Sequence, residues 1–225
     1  MKIAALSDLH GNFPKIESLL DQEIDLLLVV GDIAGGSHLT NAQYKSMTDF
    51  FKWVDKINPG TCIITPGNHD YWDWGQLFKY RERPKNTYCL IDQHREVDGL
   101  IVHGTPWSIE FLGWNYMKED ERLAPHWENI HPDTDILINH GPAYGLCDSI
   151  LTPAAHDKRP MQHHGSKSLY NELLKRNIPR VLTGHIHGAD HGDVSLGKEY
   201  DTLCSCVSIL DEEYKFKHEP KIFEM

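Results

Sequence analysis

The stretch Arg180-Val-Leu-Thr-Gly-His-Ile-His-Gly188 carries an apolar run of strand length straight into two histidines one residue apart. Glycines flank the pair, so the chain can turn sharply where the strand should surface. The same arrangement recurs at four earlier places. The run Lys2–Leu6 leads into Ser7-Asp8-Leu9-His10, and the run after Asp25 leads into Gly31-Asp32. Thr61–Thr65 leads to Gly67-Asn68-His69-Asp70, and the run after Asp135 leads to Asn139-His140-Gly141. One histidine after a strand is ordinary. Five apolar runs that all end in oxygen or imidazole donors are not, and in a largely parallel sheet the strand ends converge on one crevice. The expected arrangement is therefore α/β, with residues distant in sequence gathered at one edge.

The rest of the chain agrees with alternating strands and helices. Asn12-Phe13-Pro14, with Ile16, Leu19 and Leu20 at helical spacing, predicts a helix after the first strand. Thr40 opens a second, whose Tyr44, Met47, Phe51 and Phe50, Val54, Ile57 form two apolar rows ending before Pro59. A third carries Leu169, Leu173 and Leu174. Thr87–Ile91 and Gly99–His103 read as strands of a partner sheet, and the segments from Asp193 to Phe216 as a closing meander. The Trp- and Pro-rich stretch 105–132 reads as a long covering loop.

With 225 residues, one domain over 1–225 is expected, large enough for a core without disulfides. The net charge of −11 argues against gripping duplex nucleic acid through its phosphates. It leaves room for a small phosphorylated ligand, because a bound cation can outweigh the surrounding acid. Five scattered cysteines make no disulfide framework, and no run is long enough for a membrane span, so a cytoplasmic protein is expected.

The candidate metal ligands are Asp8, His10, Asp32, Asn68, His140, His185 and His187. They include no thiolate, and mixed oxygen and nitrogen donors suit Mn, Fe, Zn or Ni. Seven side chains are too many for one tetrahedral ion. Shared between two ions, they leave positions open for water and substrate, as in catalytic pairs roughly 3.5–4 Å apart. Asp32 is the natural shared ligand, since a carboxylate can offer an oxygen to each ion. The pairs Asp8/His10 and His185/His187 can aim to one side if the chain stays extended there.

Asp-x-His at 8 and 10, Gly-Asp at 31 and 32, Gly-Asn-His-Asp at 67–70, His-Gly at 140 and 141, and Gly-His-x-His at 184–187 resemble, in order, the five motifs of the calcineurin-like metallophosphoesterases. The resemblance implies a four-layer α/β/β/α sandwich, two mixed sheets flanked by helices, with two divalent metal ions at the sheet edge. It assigns Asp8, His10 and His187 to one ion, Asn68, His140 and His185 to the other, and Asp32 to both. It makes His69 the catalytic histidine beside the leaving group and Asp70 its hydrogen-bond partner. The implied reaction is phosphoester hydrolysis by a hydroxide held between the ions, with His69 serving the leaving oxygen.

Gly31-Asp-Ile-Ala-Gly-Gly-Ser37 lacks the arginine of the family's protein phosphatases, which disfavours that branch. Gly104-Thr-Pro-Trp107, His140-Gly-Pro142, His164-Gly165 and the segment from Ser208 to Tyr214 are similar to a small phosphodiesterase-like branch, related to class III cyclic nucleotide phosphodiesterases. A phosphodiester, a nucleotide among the candidates, is the expected substrate. Phosphomonoester or pyrophosphate cleavage and a catalytically silent binding module are the alternatives. Trp72, Trp74, Trp107 and Trp114 are candidates for stacking on a base or for anchoring loops, and His163 and His164 for the site rim.

Overall fold

The computed structural model describes residues 1–35, 40–73, 75, 77, 83–149 and 163–225. Trp74, and part of the segment after Asp32, lie outside the described residues. Four strands run parallel in the first sheet: β1 (Lys2–Leu6), β2 (Leu26–Val30), β3 (Thr61–Thr65) and β4 (Thr87–Cys89). The second sheet has the order β11-β12-β10-β9-β6-β5, from β5 (Gln93–Val97), β6 (Leu100–Thr105), β9 (Ile136–Asn139), β10 (Arg180–Thr183), β11 (Val194–Ser195) and β12 (Leu203–Cys206). Its four inner strands are parallel and its two edges antiparallel.

The continuous apolar runs follow from burial on both faces. Along β1, Ile3 and Ala5 point into a core shared by the two sheets, with Leu26, Leu28, Ile63, Ile136, Ile138 and Leu182. Ala4 and Leu6 point the other way, onto helix α1 (Thr40–Ile57) through Met47, Phe50 and Val54. The outer face of the second sheet is covered by α2 (Asp120–Glu128) and α3 (Lys167–Leu173), through Leu123, Trp127, Leu169 and Leu173. Helix, sheet, sheet and helix therefore form the four layers expected. Phe50 is fully buried between sheet and helix, and its loss to alanine would cost about 3–5 kcal/mol.

Four expectations are corrected. The segment after β1 forms a 3₁₀ turn, Phe13–Lys15, and further tight turns instead of an α-helix. Phe13, Ile16 and Leu19, all buried, recur every three residues, the period of a 3₁₀ turn, while Leu20 is exposed. The strand from Thr87 joins the first sheet, not the partner sheet. Within 105–132 lies α2, which tolerates Pro125 because buried Leu123 and Trp127 hold it to the sheet, along with the short strands β7 (Ser108–Ile109) and β8 (Met117–Lys118). The C-terminal part is no simple meander, since β12 runs parallel to β10 and a final strand, β13 (Lys221–Glu224), crosses to pair with β1.

Candidate metal centre

The five donor-bearing strands divide between the sheets: β1, β2 and β3 in the first, β9 and β10 in the second. Their carboxyl ends nevertheless meet, because the segment after β12 ties the sheets together. The Val207 amide donates to the Thr183 carbonyl, and the Val207 carbonyl accepts from the Ser7 amide, each at 2.8 Å. Next to this seam the Asp8 amide donates to Gly31, the His10 amide to Asp32, and the Gly184 amide to His140. The extended chain that would aim Asp8/His10 and His185/His187 to one side is not what the backbone adopts. Asp8, His10, Asp32 and His185 have φ of 56°, 41°, 52° and 69°, a left-handed backbone that costs energy in non-glycine residues and that the surrounding bonds enforce.

All seven predicted ligands come together in this edge. Donor atoms of Asp8, His10 and His187 lie within 4.8 Å of one another, as do those of Asp8, Asp32 and His140. Asp32 Oδ2 stands 3.6 Å from His10 Nε2 and 3.5 Å from His140 Nε2. Asn68 Oδ1 lies 2.9 Å from His140 Nε2, and His185 stacks edge-on to His140 with ring centroids 5.2 Å apart. His140 Nδ1 donates to the Val30 carbonyl and His187 Nδ1 to the Asp211 carbonyl, both at 2.9 Å, so each ring turns Nε2 toward the carboxylates. Ser7 Oγ and the His185 amide fix the Asp8 carboxylate at 2.7 Å and 3.1 Å.

This pocket packs two buried carboxylates against the imidazoles of His10, His140 and His187. Burial alone would raise the Asp8 and Asp32 pKa values, yet His187 and His140 hold both well below the usual carboxylate range. Burial opposes charge on those histidines too, but Asp32 pushes His140 up to about 9 and Asp8 pushes His187 up to about 9. His10 and His185 are lowered to about 4 by burial. His10 Nε2 is buried without a hydrogen-bond partner, a lone donor aimed among carboxylates. Oxygen and imidazole donors, a free ring nitrogen and buried anions together fit divalent cations.

His69 is half-buried at the mouth of the centre. Its amide donates to Asp32 Oδ1 at 2.7 Å, and its carbonyl accepts from Gln43 Nε2 at 3.0 Å. Its ring lies 4.3 Å from Trp114 and 5.1 Å from His10, centroid to centroid, and burial lowers its pKa against the pull of Asp32. The hydrogen bond expected between Asp70 and that ring is not formed. The Asp70 carboxylate instead accepts from the amides of Ile33, Ala34 and Gly67, pinning the Asp32 loop to the Asn68 loop. Burial, then Asp32, pushes Asp70 up to about 6 against those amides.

Sequence reasoning passed over three neighbours. Gln43 is fully buried in the apolar row of α1 with Met47, Phe50 and Val54, and a polar residue in such a row was the available signal. Asn115 Nδ2 donates to the Asp70 carbonyl at 2.7 Å. Tyr214 stands edge-on to His10 and His187, at the end of the Ser208–Tyr214 segment that carried the branch resemblance but to which no role was given. Of the tryptophans, Trp72 is core and Trp107 is an anchor, bonded through Nε1 to Asp92 and covered by Lys118. His163 and His164 line a wider cleft beside the centre.

Comparison with known proteins agrees with this geometry. Human metallophosphoesterase domain-containing protein 1 is 30% identical over 157 residues, covering 69% of this chain and 43% of the relative. The double-strand break repair protein Mre11 of Nanoarchaeum equitans is 25% identical over 225 residues, covering 82% and 57%. The chain thus spans about half the length of these curated relatives. The crystal structure of TT1561 from Thermus thermophilus shares the fold, with a TM-score of 0.60 at 15% identity, covering 91% of this chain and 88% of that one. The model of the calcineurin-like phosphoesterases matches residues 1–189, across both sheets and every donor described, and the chain belongs to that family.

Proposed function

We propose that this protein is a dinuclear metal-dependent phosphoesterase acting on phosphodiesters. Asp8, His10 and His187 would hold one divalent ion, Asn68, His140 and His185 the other, and Asp32 both. The observation that carries this reading is the position of Asp32 Oδ2, nearly equidistant from His10 Nε2 and His140 Nε2. When bound, the ions supply charge neutralisation of the phosphoryl oxygens and an activated water. Asp8 and Asp32, fixed by Ser7 Oγ and by backbone amides, keep the donor geometry rigid. His69, at the mouth of the centre with its ring beside His10 and Trp114, is placed to serve the leaving oxygen.

Two features favour a diester over a monoester. Among the described residues lining the cleft over the centre, none is Lys or Arg, a lining better matched to the single charge of a diester. The cleft also continues sideways, leaving room for a second substituent on phosphorus. The five cysteines are free, which supports a reducing compartment, and no helix among the described residues is long and apolar enough to cross a membrane. The test is hydrolysis of p-nitrophenyl phosphate, its bis-ester, and 2′,3′- and 3′,5′-cyclic nucleotides by protein reconstituted with Mn, Fe, Zn or Ni. The diesters should be preferred by at least about tenfold; a monoester preference sinks the diester reading. No turnover with two ions bound would leave a binding module.

A further inference from the structure

Beside the cleft over the donors lies a larger one of about 850 Å³. The two are continuous, because Phe111, Trp114, His185 and Ile186 form walls of both. Trp114 is the link to the chemistry, since its indole lies against the His69 ring. Phe111 meets Trp114 edge-on at 6.0 Å yet stays 60% exposed, and Tyr144 adds a third aromatic wall. An aromatic side chain left this open at the mouth of a site gains most from a ligand that covers it.

These walls are held in place before any ligand arrives. The Asn115 side chain ties the Trp114 segment to the Asp70 carbonyl, and the amides of Ser108 and Glu110 donate to Tyr116 and Lys118 at its base. The Tyr144 amide donates to the Ser166 carbonyl at 2.9 Å, which fixes the opposite segment at the start of α3. The charged lining is mostly acidic: Glu110, Asp120 and Glu121 against Lys167. A second phosphate or other anion is thereby disfavoured, whereas a neutral planar ring can stack on one aromatic wall and meet another edge-on, since the Phe111 and Trp114 rings stand at 86° to each other.

We infer that this cleft seats a neutral planar ring of the nucleobase class, carried on an alcohol of the phosphodiester and held among the aromatic walls supplied by Phe111, Trp114 and Tyr144. The inference rests on the phosphodiesterase reading above for what the neighbouring cleft holds. Because the wall begins at Trp114 beside His69, the ring belongs to the alcohol that departs. In a cyclic nucleotide both alcohols belong to one nucleoside, so the ring occupies the same cleft.

The experiment uses the full-length, metal-loaded protein and the variants Tyr144→Ala and Phe111→Ala. Phe111 is exposed enough that its removal spares the fold. Binding of adenosine 5′-monophosphate and ribose 5-phosphate is compared by calorimetry, which needs no turnover. Hydrolysis of adenosine 3′,5′-cyclic phosphate is compared with that of methyl ribofuranoside 3,5-cyclic phosphate, which lacks the base. The base-containing ligand should bind at least about tenfold tighter, and each variant should lose about 5–100-fold of that margin while leaving turnover of the base-free cyclic ester unchanged. Equal binding of the two ligands by the unmodified protein overturns the inference, as does a variant that keeps the full margin or tighter binding of an octyl phosphate. Base-selective binding without hydrolysis of any ester would instead sink the phosphodiesterase reading and leave the ring site standing.

Discussion

The backbone amide of His69, not its imidazole, holds Asp32: the N–H donates to Oδ1 at 2.7 Å while Oδ2 faces His10 and His140. Support of the donor cluster and service to the leaving group are thus separable functions of one residue.

It follows that His69→Ala keeps the amide and removes only the ring. Metal content, measured by elemental analysis, should be unchanged, and turnover of a diester should fall by about 10²–10⁴, the usual worth of a positioned acid. Undiminished turnover would remove His69 from the mechanism.

Asp32→Asn tests the shared carboxylate. One oxygen can still accept the His69 amide, but the other becomes an NH₂ that cannot ligate, so the two halves of the donor set lose their common member. Both ions should bind more weakly, leaving less than about one ion per chain after desalting against a chelator. Two retained ions would contradict sharing.

The fold was largely legible because both sheets are buried on both faces, which writes strands as unbroken apolar runs such as Leu26–Val30 and Ile136–Ile138. The donors were legible because each follows such a run. What escaped is the material whose form tertiary contacts decide. Pro125 hid a helix that Trp127 anchors, and Lys221–Glu224, with alternating exposure and no apolar run, gave no hint that it closes the edge of the first sheet. Asp70 was misjudged for a related reason. The family resemblance implied the His69 ring as its partner, whereas its oxygens reach amides 36 and 37 residues away.

Gly184→Ala probes how tightly the seam between the sheets is drawn. A Cβ at this position would overlap Ser7 Oγ and Asp8 Oδ2, the atoms that orient the Asp8 carboxylate. Neither is the end of a long flexible chain, so the backbone must shift. The variant should lose about 1–3 kcal/mol of stability by urea denaturation, as overpacked sites do, and should lose metal affinity as well. Wild-type affinity alongside reduced stability would show that Asp8 has other adequate supports.

Acid sensitivity should have a source outside the metal centre. His103 on β6 is 1% exposed, and its Nδ1 accepts the His131 amide at 3.3 Å, which fixes the neutral ring with its proton on Nε2. Nε2 has no hydrogen-bond partner. Burial, aided by His94, His131 and Arg176 and opposed by Asp92, lowers the pKa from 6.5 to about 4. Above pH 6.5 neither the folded nor the unfolded chain protonates this ring, so it makes no pH-dependent contribution there. Between 6.5 and about 4 the unfolded chain takes up a proton that the fold refuses, and stability falls as the pH falls, by at most about 3 kcal/mol. His103→Gln removes the titration. Urea midpoints of the metal-free proteins from pH 7.5 to 4 should show a shallower decline for the variant, by up to one proton's worth of slope. Parallel declines would mean that His103 is protonated as readily in the fold as out of it.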